Sequence, residues 1–220
     1  IMSALCSSFT ILFLFWTITM IAKKMMEKQH PEGLGTFQQA VIYACGLIGA
    51  LAYTFSDSFW FSSAEGEVYA MSSFFTAITF WAILRWEAVA DQPGNLRWII
   101  FIAFMIGLAI GVHLLNLLVL PAIVFTVYYK KFKPSRKGFW FALVLSIVLL
   151  GLILWIIIPW TVKLAGYFDV FFVNRLGLPF NSGTIAYFAL LVAALVWGLY
   201  QSRKKGRVVM HTALLSLCFM

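Results

Sequence analysis

The chain has 220 residues, of which 63% are hydrophobic, 18% aromatic and only 11% charged, and its formal net charge is +8. A water-soluble globule carries about a quarter charged residues, so this composition, with a mean hydropathy of +0.94, excludes a soluble fold and predicts an integral membrane protein. About 20 apolar residues cross a bilayer, which gives this length room for about seven or eight crossings and no soluble domain.

The first apolar run, 1–22, begins at Ile1 and lacks the basic start and small-residue cleavage site of a signal peptide, so it reads as a retained span. Further apolar runs follow at 38–55, 68–84, 98–129, 139–160, 184–201 and from 208 to the end. They are apolar all round, whereas transmembrane strands alternate over about ten residues. The expected fold is all-α, a polytopic bundle of about eight membrane helices. Because the first and last runs are still open at Ile1 and Met220, residues 1–220 are expected to be one helical domain truncated at both ends.

Loops held on the cytoplasmic side are enriched in lysine and arginine. Lys23, Lys24 and Lys28, then Arg85 and Arg97, then Lys130, Lys131, Lys133, Arg136 and Lys137, and finally Arg203, Lys204, Lys205 and Arg207 mark four such loops. The acidic segment 56–67 and the stretch 161–183 then face outward. Topology and anionic lipid account for the net charge, and nothing calls for nucleic acid.

The run 98–129 has basic loops on both sides, so it must cross an even number of times. As one helix it would be roughly 48 Å long, too long for a core of about 30 Å. Two short helices meeting near Gly111, Val112 and His113 are expected instead, with a tip that lines a cavity. Gly107 and Gly111 form a small-xxx-small pair suited to close helix packing, and Pro121 is placed to bend the returning helix.

Asp57, Glu65, Glu67 and Asp169 lie on the outer side in this topology. Glu65 and Glu67 precede the span 68–84, where they favour a helix N-terminus from water. Alternatively one of them faces a cavity, accepts a substrate hydrogen bond, holds a metal ion or acts as a base. His113 and Asn116 stand in an otherwise apolar stretch, where polar side chains need partners, and are functional candidates. The stretch 161–183 mixes Phe168, Phe171, Phe172, Leu176 and Phe180 with Asp169, Asn174 and Arg175, as an interfacial amphipathic segment would. Arg175 is placed to meet a lipid phosphate or bulk headgroups. Cys6, Cys45 and Cys218 share no metal-ligand spacing and are expected to be small core residues.

The segment Trp60-Phe61-Ser62-Ser63-Ala64-Glu65-Gly66-Glu67-Val68-Tyr69-Ala70, followed by Leu108-Ala109-Ile110-Gly111-Val112-His113-Leu114-Leu115-Asn116, resembles a family of large bacterial membrane proteins of formerly unknown function. That family is similar to the transmembrane protein O-mannosyltransferases of the type C glycosyltransferase superfamily. The resemblance implies a multi-pass enzyme of the bacterial inner membrane. Such an enzyme takes a sugar, mannose, from a polyprenyl-phosphate carrier and gives it to serine or threonine of a protein acceptor outside. Glu65, Glu67, Tyr69, His113, Asn116 and Arg175 are the substrate-binding candidates. The acidic motif that supplies the family's base precedes the first residue here, so no catalytic residue is expected in the chain. The resemblance fixes no cofactor, and a divalent metal ion is the one candidate. A transporter and a noncatalytic envelope scaffold are the competing readings, although no second copy of the 98–129 pattern supports transport.

Overall fold

A computed structural model describes residues 1–65 and 68–219, and all regular structure among them is helical. In hydrocarbon no water is available to satisfy the backbone, so the helix, which closes its own hydrogen bonds, is the form these apolar runs take. Six helices are long and apolar enough to cross a membrane, and Leu96–Val112 and Val208–Cys218 are shorter apolar helices. The protein is a multi-pass membrane protein, built as two compact units of residues 1–132 and 133–218.

The first unit contains α1 (Met2–Gln29), α2 (Thr36–Thr54), a short α3 (Asp57–Ala64), α4 (Val68–Val89), α5 (Leu96–Val112) and α6 (Val119–Lys131). Here α1 packs along α2 and α4, and α4 carries α5 and α6. Lipid offers apolar contacts as good as those of another helix, so association depends on close packing through small residues. On α4 the buried set Ile78, Thr79, Ala82, Ile83 and Trp86 follows the helical repeat, and α5, which packs on α4, buries Ile102, Ala103, Ile106 and Ala109. A Cβ at Gly46 or Gly49 of α2 would collide with Phe15, Ile18 and Thr19 of α1, so those glycines set the α1–α2 approach. The pair read from sequence does not do this at Gly111, which faces open space.

The run 98–129 is two helices, as charge parity requires. Helix α5 stops at His113, whose backbone is extended (φ −157°, ψ 125°), and a 3-10 turn at Leu114–Leu118 leads into α6. Asp91, just before α5, accepts from Lys130 and Lys131 at the end of α6, so both arms start and finish at one end of the unit. Lys24 pairs with Glu87 at that same end, joining the last turns of α1 and α4. Pro121 lies in the first turn of α6, directly after the 3-10 turn, a position where a proline is well tolerated.

The second unit contains α7 (Arg136–Leu152), a π-helical segment (Ile153–Ile157), α8 (Ile158–Leu176), α9 (Ser182–Lys204) and α10 (Val208–Phe219). The run 139–160 does not end before a separate interfacial segment. Pro159 falls in the first turn of α8, and the wider π turn just ahead of it gives the proline ring room, so helix continues to Leu176. Gly177 closes α8 with φ +65°, a conformation glycine adopts without cost. Helix α8 then packs against α9, and Phe168 meets Tyr187 with ring centroids 5.3 Å apart. Cys45 and Cys218 sit on exposed helix surface and Cys6 is half-buried, so none is a core residue of the kind expected.

Candidate functional site

At the end of the first unit opposite Asp91 and Glu87, the tip of the α5–α6 hairpin meets the start of α4. Asn116 is 4% exposed, and its Oδ1 accepts hydrogen bonds from Ser72 Oγ (3.0 Å) and Thr76 Oγ1 (2.7 Å). Its Nδ2 donates to the Ala109 carbonyl at 3.3 Å, a second donor to the oxygen that also accepts the His113 backbone N–H. A buried amide with these partners is a fastener: it ties both sides of the helix break to α4. Ser72 and Thr76 were not singled out from sequence, although two hydroxyls one helical turn apart in an apolar run are a readable signal for an interhelical partner.

His113 is half-buried beside this node. Its Nδ1 accepts from the Leu115 backbone N–H at 3.2 Å, capping the 3-10 turn, and its own N–H donates to the Ala109 carbonyl at 2.8 Å. With Nδ1 used as an acceptor, a neutral imidazole holds its proton on Nε2, where it is a hydrogen-bond donor. The Tyr69 ring lies 5.9 Å from that of His113, tilted by 47°, so the first turn of α4 and the hairpin tip present two polar rings side by side. Tyr69 is 47% exposed, leaving its face open to a ligand.

The acidic segment borders the same end. Asp57 opens α3, where a carboxylate complements the N-terminal dipole. Glu65 is exposed and ends α3, donating its backbone N–H to the Phe61 carbonyl, three positions before α4 begins. Glu67 lies outside the described residues. Phe59 of α3 is buried and packs on Tyr53 of α2 with centroids 4.6 Å apart, holding the segment against the unit. A cavity of about 410 Å³ between α1, α2 and α4 is lined by Thr10, Thr17, Tyr53, Ser72, Ser73 and Thr76 together with an apolar wall that includes Leu14, Ile18 and Phe80. It shares Ser72 and Thr76 with the Asn116 node.

Every lysine and arginine of residues 1–132 lies at the other end of this unit or in the turns there. The end bearing Tyr69 and His113 therefore holds no lysine or arginine. Arg175 belongs to the second unit, exposed in the last turn of α8, where it complements the helix C-terminus. Among the described residues no three His, Cys, Asp or Glu come together to hold a metal ion.

A family model described as the protein O-mannosyl-transferase TMEM260 N-terminal domain matches residues 1–136, ending close to the boundary between the two units. No curated protein and no solved structure matches the chain.

Proposed function

The chain belongs to the protein O-mannosyl-transferase TMEM260 N-terminal domain family, and from that premise we propose that it forms the membrane-embedded, substrate-binding part of a protein glycosyltransferase. The donor is a sugar, mannose, on a polyprenyl phosphate, the acceptor is a serine or threonine hydroxyl, and transfer takes place on the outer side of a bacterial inner membrane. The observation that supports this reading best is the pairing of Tyr69 and His113, fixed by the buried Asn116 node beside the acidic segment.

The reaction is a displacement at the anomeric carbon: the acceptor oxygen forms the new bond as the bond to the phosphate oxygen breaks. The acceptor proton passes to a carboxylate and the phosphate leaves with the electron pair. In this reading the Nε2–H of His113 donates to the departing phosphate, and Tyr69 holds the sugar or carrier by its ring and hydroxyl. Glu65 and Glu67 orient the acceptor. Preorganised donors of this kind are typically worth about 10² to 10³ in rate.

The test is transfer of labelled sugar in membranes, normalised to protein level, with the full-length protein. His113→Ala and Glu67→Gln should each lower transfer by about 10². Normal transfer by both would remove these residues from the site. Wild-type protein inactive with any polyprenyl-linked sugar would overturn the enzyme reading.

A further inference from the structure

At the basic end of the first unit, a cavity of about 570 Å³ opens between α1, α4 and the end of α6, away from the Tyr69–His113 pair. Lys23, Lys24, Arg85 and Lys130 line it with two carboxylates, Glu27 and Glu87. Lys24 pairs with Glu87, Lys23 lies 3.7 Å from Glu27, and Lys130 pairs with Asp91, which Lys131 also contacts. Arg85 forms no ion pair among the described residues; its guanidinium lies over the Trp98 ring at 5.8 Å. The last turns of α1, α4 and α6 call for some positive charge at this end, to complement their dipoles. Lys28, Lys130 and Lys131 fill that role on α1 and α6, and Arg85, which stands before the last turn of α4, is not needed for it.

The rest of the lining is apolar: Met20, Ile21 and Leu84 lie on the side of the cations toward the middle of α1 and α4, and Met25 and Ala88 lie among the charged residues. A cationic rim above an apolar wall matches a molecule with a phosphate at one end and hydrocarbon at the other. A free phosphate ion would have no use for the wall. We propose that this cavity binds the phosphate headgroup of an anionic membrane lipid, with Arg85 as its principal donor and the start of an acyl chain against Met20, Ile21 and Leu84. The guanidinium suits the role, because its fork of N–H groups can give two parallel hydrogen bonds to one phosphate. The site is independent of sugar transfer and stands or falls apart from it.

Native mass spectrometry of the purified protein in neutral detergent tests this, since no charged membrane surface is present to attract lipid without a site. Phosphatidylglycerol, phosphatidylcholine and inorganic phosphate are the probes. One phosphatidylglycerol should be retained at least about tenfold more tightly than phosphatidylcholine. Arg85→Gln should weaken it about tenfold, Arg85→Lys less, and Lys28→Gln, which removes a cation at the same end but outside the cavity, should leave it unchanged. Should Arg85→Gln fail to fold, Lys130→Gln carries the same arm. Equal retention of the two lipids, or equal losses in the Arg85 and Lys28 variants, would overturn the site. Displacement of phosphatidylglycerol by millimolar inorganic phosphate would make it a soluble-phosphate site and overturn the lipid assignment.

Discussion

The two units hold their helices together in different ways. In the first, α4 buries Ala70 near its start and a stripe from Ile78 to Trp86, and each end of the helix carries a polar tie: Asn116 with Ser72 and Thr76 at one end, Lys24 with Glu87 at the other. In the second, the long helix from Arg136 to Leu176 buries only Ala142, Ser146 and Ala165, and Asp169 ties it to the first turn of α9. Since lipid competes equally for apolar surface, a unit with few buried side chains depends on close approach and hydrogen bonds at a few points. The first unit should therefore lose stability in small steps, the second at single residues.

The largest expected contrast concerns the charge pattern. All cations of residues 1–132 gather at one end, whereas the second unit carries Lys163 and Arg175 along α8. In a background without native cysteines, a membrane-impermeant thiol reagent added outside intact cells should label Ser58→Cys and leave Gln92→Cys untouched. Both positions are exposed and lie at opposite ends of the unit. Equal labelling would break the assignment of ends to membrane sides.

In the second unit a Cβ at Gly183 would strike the Phe168 carbonyl and the Asp169 backbone, atoms that cannot turn aside as a side-chain tip can. Gly183→Ala should destabilise by about 3 kcal/mol, read as a lower thermal midpoint in detergent, while Gly111→Ala, with nothing near it, should be almost silent. A mild Gly183→Ala would mean that α8 and α9 are not locked there. In the first unit, Asn116→Ala leaves the Ser72 and Thr76 hydroxyls without their shared acceptor. The expected cost is about 1 to 2 kcal/mol, with the hairpin tip opened to hydrogen exchange while the Asp91 end stays protected. A uniform loss of protection would show that the node has no local role.

The Asp169 carboxylate accepts from the backbone N–H groups of Asn181, Gly183 and Thr184, doing for α9 what an N-cap does. Asp169→Ala should cost about 1 kcal/mol and Asp169→Asn less, because the amide oxygen still accepts. Equal losses in the two variants would assign the effect to charge rather than capping.

The membrane class, the positions of most helices and the break at His113 were legible in the sequence because hydropathy and charge parity are properties of runs, averaged over many residues. Contacts between helices were not. Gly107 and Gly111 show the small-residue spacing associated with close packing, yet Gly111 faces open space, while Gly46, Gly49 and Gly183 stand at close approach. Whether a helix turns one face or the next to its neighbour is set by the rotation of the whole helix, which periodicity in a uniformly apolar run does not record. For the same reason Asn116 stood out as polar, while its partners Ser72 and Thr76 were invisible until α4 lay beside it. Pro159 reads locally as the end of a helix, and the π turn that lets the helix continue has no signature of its own in Ile153–Ile157.

The smallest expected effect belongs to Asp91, and it sharpens the comparison because among the described residues the second unit's long helix is tied by the Asp169 hydrogen bonds and by no ion pair. Hydrogen bonds from Lys130 first and Lys131 second, aided by their charges, hold the Asp91 carboxyl below its ordinary range. A carboxyl whose folded pKa is depressed adds stability above its unfolded pKa, and that stability is lost as pH falls through the folded value. The closure of the α5–α6 hairpin at this end should therefore be constant from pH 8 to pH 5 and weaken only below about pH 4. Asp91 is solvent-exposed, so the change should be slight and should shrink further in high salt. Hydrogen exchange at the start of α5 against pH is the measurement, with Asp91→Asn as the control that should flatten the acid limb. Weakening that sets in between pH 7 and pH 5, or an acid limb that survives in Asp91→Asn, would assign the closure to some other group and leave the hairpin tied by its tip alone.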